Sequence, residues 1–295
     1  YNKSINTFTA AAWASGGALG TARYELGSAG TQTAGLGFGG NTPSGSPTKT
    51  TATEEYDGSS WTAGGALGTA RYAIGGCGIQ TAALGFGGFD APTPTGGKTN
   101  TEEYDGSSWT AGGALPVEKR GMGSAGTQTA GLSFGGLGTA NVNTSEEYDG
   151  SSWTSGGTLN TARRFIAGGG IQTAAFGAGG YTTTQSANGE EYDGSSWTNT
   201  PNINVARSRP GGAVNSSVSA GLIFGGQPAT AVSESFDGTS WSTAPSLATA
   251  RYGMGGAGTD SLALGFGGST GAPVTTTEEF TGKTETATAK TLTTS

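Results

Sequence analysis

The sequence contains no histidine and a single cysteine, and only 14 of its 295 residues are lysine or arginine. Without histidine the chain lacks the commonest general base near neutral pH and the commonest transition-metal ligand. Cys77 has no partner for an internal disulfide, so cysteine usage says nothing about redox compartment. Its matching slots hold Ala29, Ala125 and Ala257, which marks it as a small packed residue rather than a reactive one. A net charge of −7 leaves no cationic face for nucleic acid and disfavours an anionic membrane surface. No apolar run approaches the roughly 18 residues that span a bilayer, so membrane insertion is not expected. No charged leader with an apolar segment is visible near Tyr1, and a first residue other than Met fits a processed or partial product. Helical periodicity is also missing throughout.

What is present is repetition. Trp13, Trp61, Trp109, Trp153, Trp197 and Trp241 are spaced by 48, 48, 44, 44 and 44 residues, and they are all the tryptophans of the chain. Ten residues behind each comes a cation: Arg23, Arg71, Lys119, Arg163, Arg207 and Arg251. A period of this length means units that cannot bury their own apolar faces and need their neighbours. The 58 glycines, which in an aperiodic chain would suggest low complexity, recur here at fixed places and read as turns and close approaches. In the second copy, RYAIGGCG, TAALGF ending at Gly87-Gly88, TEEY and SSWT are four short segments bounded by Gly or Asp-Gly. They predict a four-stranded antiparallel meander. The Asp-Gly of YDGSSW is a hairpin signal, repeated from Asp57-Gly58 to Asp237-Gly238. Between Gly-Gly and the next Glu the length varies, 13 residues after Gly40 and after Gly88, 9 after Gly136 and 7 after Gly226. Variable length marks surface loops, here 41–53, 89–101, 137–145, 181–189, 227–233 and 269–277.

An Arg, an apolar strand ending in Gly-Gly, a Tyr followed by Asp, and then a Trp, as at Arg71, Gly87, Gly88, Tyr104 and Trp109, resemble the kelch repeat. The resemblance implies an all-β, six-bladed propeller with four antiparallel strands per blade. Units open near residues 23, 71, 119, 163, 207 and 251, giving one domain over 1–282 and a Thr/Ala-rich tail over 283–295 that is flexible or leads into a partner. The outer strands of the last unit are split. Thr277 to Phe280 is expected to supply its third strand and the segment around Trp13 its fourth, closing the ring and removing free sheet edges. The tryptophans are expected to fill the wedges between blades.

Function is less legible. A copper centre of the galactose oxidase kind, built on His, Tyr and a Cys-linked Tyr, cannot be assembled here, and neither enzymatic activity nor a cofactor or metal is expected. Consecutive carboxylates such as Glu102-Glu103 point to opposite faces of a strand and cannot act together on one substrate. One of each pair is expected to meet the Arg of a neighbouring strand and the other to face solvent, with calcium held between loops as the rival use. The six cations are the candidate ligand-binding residues, as a ring around one channel mouth suited to carboxylate, sulfate, acidic peptide or glycan. The other role open to them is to tie to acidic groups and backbone carbonyls. Tyr24, Tyr72 and Tyr252 beside three of the cations suit sugar stacking, while Arg120, Arg164 and Ser208 break the symmetry. The near-identity of the copies resembles the Gly/Thr-rich kelch-like repeats of marine tailed-phage structural proteins. That implies a virion-associated, tail-fibre or adhesion protein, in the virion or outside cells, contacting host-surface glycan or protein or other virion proteins. The alternative is a cellular or secreted kelch-like interaction or lectin module.

Overall fold

The computed structural model describes residues 2–43, 48–90 and 97–291; loop residues 44–47 and 91–96 and tail residues 292–295 lie outside them. Six four-stranded antiparallel sheets stand around one axis as the blades of a propeller, and none of the described residues is helical. In blade 1 the strands run outward from the axis as Gly27–Gly30, Gly35–Phe38, Thr53–Tyr56 and Trp61–Ala63, here called a to d. Blades 2 to 5 repeat this order, from Gly75–Ile79 to Trp241–Ala244. Blade 6 takes strands a to c from Gly255–Gly258, Leu262–Phe266 and Thr277–Thr281, and its strand d is Ala12–Ser15. Trp13 lies opposite Phe280 in that pairing, so the two ends of the chain close the ring. Beyond it, Asn2–Thr9 pairs antiparallel with Thr284–Thr291 in a separate two-stranded ribbon. The stretch 284–291 is therefore a paired strand rather than a loose extension.

The core is six wedges, one per seam, rather than one central mass. Each strand b carries a buried Phe, and the Trp of the next blade packs on it. Phe266–Trp61, Phe38–Trp109, Phe86–Trp153, Phe134–Trp197 and Phe224–Trp13 have centroids 4.7, 4.8, 4.9, 4.7 and 4.9 Å apart. The same phenylalanines explain a glycine. A Cβ on Gly27 would lie 2.1 Å from Phe38 and one on Gly123 2.2 Å from Phe134, so strand a must be bare where the ring lies across it. Blade 4 shows the rule by inversion: Ala178 takes the Phe slot, Ala167 the Gly slot, and the ring reappears two residues earlier as Phe176, over Gly169.

Three polar clamps join most seams. The indole N–H of Trp61, Trp109, Trp153 and Trp197 donates to Thr277, Thr53, Thr101 and Ser145 at 2.9–3.0 Å. The hydroxyls of Tyr56, Tyr104, Tyr148 and Tyr192 donate to Glu279, Glu55, Glu103 and Glu147 of the preceding blade. The second Glu of each pair, expected to face solvent, is thus an inter-blade acceptor in four seams. Burial and this bond raise Tyr56 to about 12. Gln32, Gln80, Gln128 and Gln172 reach back to carbonyls of the preceding blade, such as Tyr56 O for Gln80.

The seam between blades 4 and 5 lacks all three clamps. Phe176 and Trp241 are 6.3 Å apart, and the buried Trp241 Nε1 has no acceptor because Gly189 stands where the other blades have Thr or Ser. Phe236 replaces the Tyr, so Glu191 keeps a buried oxygen without a donor, and burial raises its pKa. The exchange is concerted. The Gly-Gly found three residues after the Trp in blades 6, 1, 2 and 3 is Thr200-Pro201 here, and Ala244-Pro245 in blade 5. A Cβ at the first Gly would meet the Tyr hydroxyl, as at Gly16, 2.7 Å from Tyr56 Oη, and Pro has no N–H to offer that hydroxyl. Gly189 in turn makes room for Thr200, whose hydroxyl lies 2.4 Å from where its Cβ would be.

Two outcomes follow from closure and from this seam. Deleting residues 1–15 removes strand d of blade 6 with its Trp, and the thermal midpoint should fall by on the order of 10 °C; an unchanged melt would show that the ring does not depend on the clasp. Phe236→Tyr alone should destabilise, by about 1–3 kcal/mol from overpacking against Thr200. Combined with Gly189→Thr and Thr200→Gly it should stabilise by about 2 kcal/mol at pH 7 through two regained hydrogen bonds. In the parent protein the raised Glu191 contributes stability below the ordinary carboxylate range that is lost as pH rises through its folded value. Denaturant unfolding of parent and triple variant should therefore diverge as pH rises above about 4, and parallel curves would reject the assignment.

Candidate functional site

Every cation slot leads into the axis of the ring, so the local geometry begins there. Arg23, Arg71, Lys119, Arg163, Arg207 and Arg251 are all fully buried. Each meets the Glu at the second position of strand c in the blade it opens. Arg23–Glu54, Arg71–Glu102, Arg207–Glu234 and Arg251–Glu278 lie at 3.0, 2.9, 2.7 and 3.0 Å, and Lys119–Glu146 and Arg163–Glu190 pair likewise. Arg23 also donates to the carbonyls of Gly37, Gly39 and Ala52. Burial draws its guanidinium down to about 10 against the opposing pull of Glu54. Of the two roles open to the cations, the exposed ring of charge is not formed: these groups hold strands b and c to the crossover from the preceding blade. The Glu completes the joint, since Glu54 Oε2 accepts the crossover N–H of Gly20 at 2.6 Å. In blade 3 the matching crossover residue is Pro116, which has no N–H, and there the cation is Lys119.

Two residues past each cation the chain turns at the axis with positive φ: Glu25 52°, Ala73 54°, Gly121 58°, Phe165 56°, Arg209 54° and Gly253 65°. Their N–H groups donate head to tail around the ring. Glu25 donates to Gly253 (2.6 Å), Ala73 to Glu25 (2.7 Å), Gly121 to Ala73 (2.9 Å), Phe165 to Gly121 (2.5 Å), Arg209 to Phe165 (3.0 Å) and Gly253 to Arg209 (2.9 Å). Non-glycine residues in this region cost about 1–3 kcal/mol each, so four side chains are held at the rim against a backbone preference.

Below the rim the channel encloses ≈ 100 Å³. Glycine and serine, such as Gly76, Ser28, Ser124 and Gly256, line much of it where the innermost strands touch: a Cβ on Gly256 would lie 2.2 Å from Gly212 O. The far end is crossed by blade 5, where Val214 O accepts from Gly170 N, Asn215 N donates to Gly258 O, and Asn215 Nδ2 donates to Gly30 O at 2.8 Å. Access is thus from the rim.

The rim is polarised. Blades 6, 1 and 2 contribute Tyr252, Tyr24 and Tyr72, all half-buried; Tyr24 and Tyr252 are edge-on at 6.3 Å, and Tyr24 Oη accepts from Asn41. Blades 3, 4 and 5 contribute Arg120, Arg164 and Arg209. Each guanidinium lies over a ring: Arg120 over Phe89 at 4.0 Å, Arg164 over Tyr181 at 4.7 Å and Arg209 over Phe165 at 3.7 Å. Arg209 Nε donates to Glu25 at 2.5 Å, and its Nη1 donates to Gln227. Arg164 Nη1 donates to Asn141 at 2.9 Å, while its Nε is buried without a partner. Burial lowers the Arg164 pKa first, and Arg209 and Arg120 lower it further by repulsion. Between these groups is a depression of ≈ 170 Å³, bounded also by Glu25 and Tyr72. The variable loops are pinned to the same face, since Asn41, Phe89, Leu137, Tyr181, Gln227 and Ser269 bridge to Tyr24, Tyr72, Arg120, Arg164, Ser208 and Tyr252.

Of the residues singled out by sequence, the six tryptophans and six cations are thus framework, and the three tyrosines reach the rim. Glu25 and Arg209 were missed, and Arg120 and Arg164 were read only as breaks in symmetry. The available signal was the pair of glycines, Gly121 and Gly253, at one slot of the repeat. Among the described residues no three His, Cys, Asp or Glu side chains converge as a metal site, and no helix is long and apolar enough to cross a membrane.

Arg71→Met, or Glu102→Gln, should cost about 3–5 kcal/mol by leaving an uncompensated buried partner, whereas Arg71→Met with Glu102→Leu should recover much of that loss. Denaturant titration of the three variants checks this, and a neutral single substitution would return the cations to the list of candidate binding groups. In comparisons with known proteins, no family model and no curated protein matches the chain.

Proposed function

We propose that this is a non-catalytic binding and structural propeller of kelch type, a virion-associated, tail-fibre or adhesion protein that contacts host-surface glycan or another virion protein. The observation that carries this reading is the division of labour in the repeat. Cation, Gly-Gly and Trp recur in all six units, while the rim and the loops bridged to it differ from blade to blade on one face. A rigid scaffold presenting one variable face is the arrangement of recognition modules, and the kelch and phage relationship rests on the order of Arg, Gly-Gly, Tyr-Asp and Trp and on the closeness of the copies.

A multivalent preparation of the full chain should be retained by one class of surface glycan or by one component of a phage particle. Replacing loop residues 137–143 and 181–187 should abolish retention. Ile171→Ser, at an exposed position of the strand a–b hairpin on the opposite face, should not. Absence of retention on a broad glycan array and on particle proteins alike would overturn the proposal, and retention only by a cellular protein would favour an intracellular or secreted interaction module.

A further inference from the structure

Among the described residues each of the six framework joints sets one carboxylate against one cation, whereas the rim depression is bounded by three arginines and one carboxylate. Arg120, Arg164 and Arg209 arrive from successive blades, and among the described residues the one carboxylate bounding their depression is Glu25, already engaged by Arg209. Three arginines thus line this opening in a chain whose net charge is −7. The guanidiniums are also held in place. Each lies over the ring of Phe89, Tyr181 or Phe165. Arg164 Nε is buried and has no acceptor among the described residues. That donor is left unmatched, and Arg164 itself lines the depression, where an oxyanion would meet its guanidinium.

Resting on the binding-propeller reading above, we infer that this depression takes the anionic group of an acidic saccharide, a carboxylate or a sulfate, with the tyrosine side of the rim facing the sugar ring. Three observations narrow the occupant to that class. The volume, ≈ 170 Å³, falls well short of the roughly 300 Å³ at which drug-sized pockets begin. It therefore suits one terminal residue rather than an extended peptide. The negative charge of the rest of the chain repels a polyanion and tolerates a single charge on a mostly neutral ligand. Half-buried Tyr72 borders the cationic side directly, and Tyr24 and Tyr252 extend an amphipathic surface away from it, one apolar face with a polar edge, as a sugar ring requires.

The test is calorimetric titration of the full chain with glucuronate, N-acetylneuraminate and galactose 6-sulfate, with galactose, acetate, sulfate and an aspartate-rich peptide as comparators. At least one acidic sugar should bind at least tenfold more tightly than galactose, and its affinity should fall as salt is added. Arg164→Gln and Arg120→Gln should each weaken binding at least tenfold without lowering the melting temperature, and Arg164→Lys, which keeps the charge but not the planar fork, should restore it only in part. Tyr72→Ala should weaken the acidic sugar while leaving free acetate or sulfate unchanged. The carboxylated and sulfated probes decide between the two anionic groups. No binding of any acidic sugar, undiminished binding in Arg164→Gln, or binding of the peptide in place of the sugars would each overturn the inference. Retention of Arg164→Gln on the surface that retains the parent would overturn it while leaving the broader binding role standing.

Discussion

Each four-stranded sheet in this ring leaves one face bare, and what covers it is the indole of the next blade laid on its strand b phenylalanine. The other features of the repeat can be read as conditions for that contact. Strand a is glycine where the ring crosses it, strand c offers a Thr or Ser to the indole N–H, and the Asp-Gly hairpin sets the Trp opposite the aromatic of strand c. Burying an indole is worth at most about 5 kcal/mol by area, and a contact repeated around a closed ring needs little else in the way of a core. That is how a chain in which aromatic residues are 9% of the total folds without a central hydrophobic mass.

Much of the architecture was legible because spacing carries it. The tryptophan period set the blade count, the Asp-Gly pairs placed the outer hairpins, and the split third and fourth strands foretold that Trp13 would meet Phe280. The roles of polar groups were harder to read, since an arginine destined for a buried ion pair and one destined for a rim look the same in sequence. Arg71 and Arg120 differ in environment only because strand direction and positive φ carry one chain position inward and the next toward the axis. The second Glu of each pair was misjudged for a related reason. Its partner, a tyrosine hydroxyl, belongs to a different blade, and only the geometry of the seam brings Glu55 under Tyr104. Co-substitutions such as Thr200, Pro201, Gly189 and Phe236 become intelligible once those contacts are known, because each change removes the need for another.

Two kinds of departure from symmetry coexist. At the seam between blades 4 and 5 the departures compensate in size but leave polar atoms unmatched, Trp241 Nε1 and a Glu191 oxygen among them, so that joint is held by packing more than by hydrogen bonds. At the rim the departures do not compensate at all: tyrosines gather on three consecutive blades and arginines on the other three. A framework that tolerates the first kind while displaying the second separates the residues that keep the ring together from those free to differ.

The belt of six backbone hydrogen bonds at the axis has a further consequence. Its donors point along the circumference, so the peptide dipoles circulate and cancel along the channel, and the potential at the opening is left to the side chains. A circle of bonds also has no terminus from which to fray. An open array of repeats can unzip from its ends, whereas here losing any single sector severs the belt for all, which favours one cooperative melting unit over a sequence of partial ones.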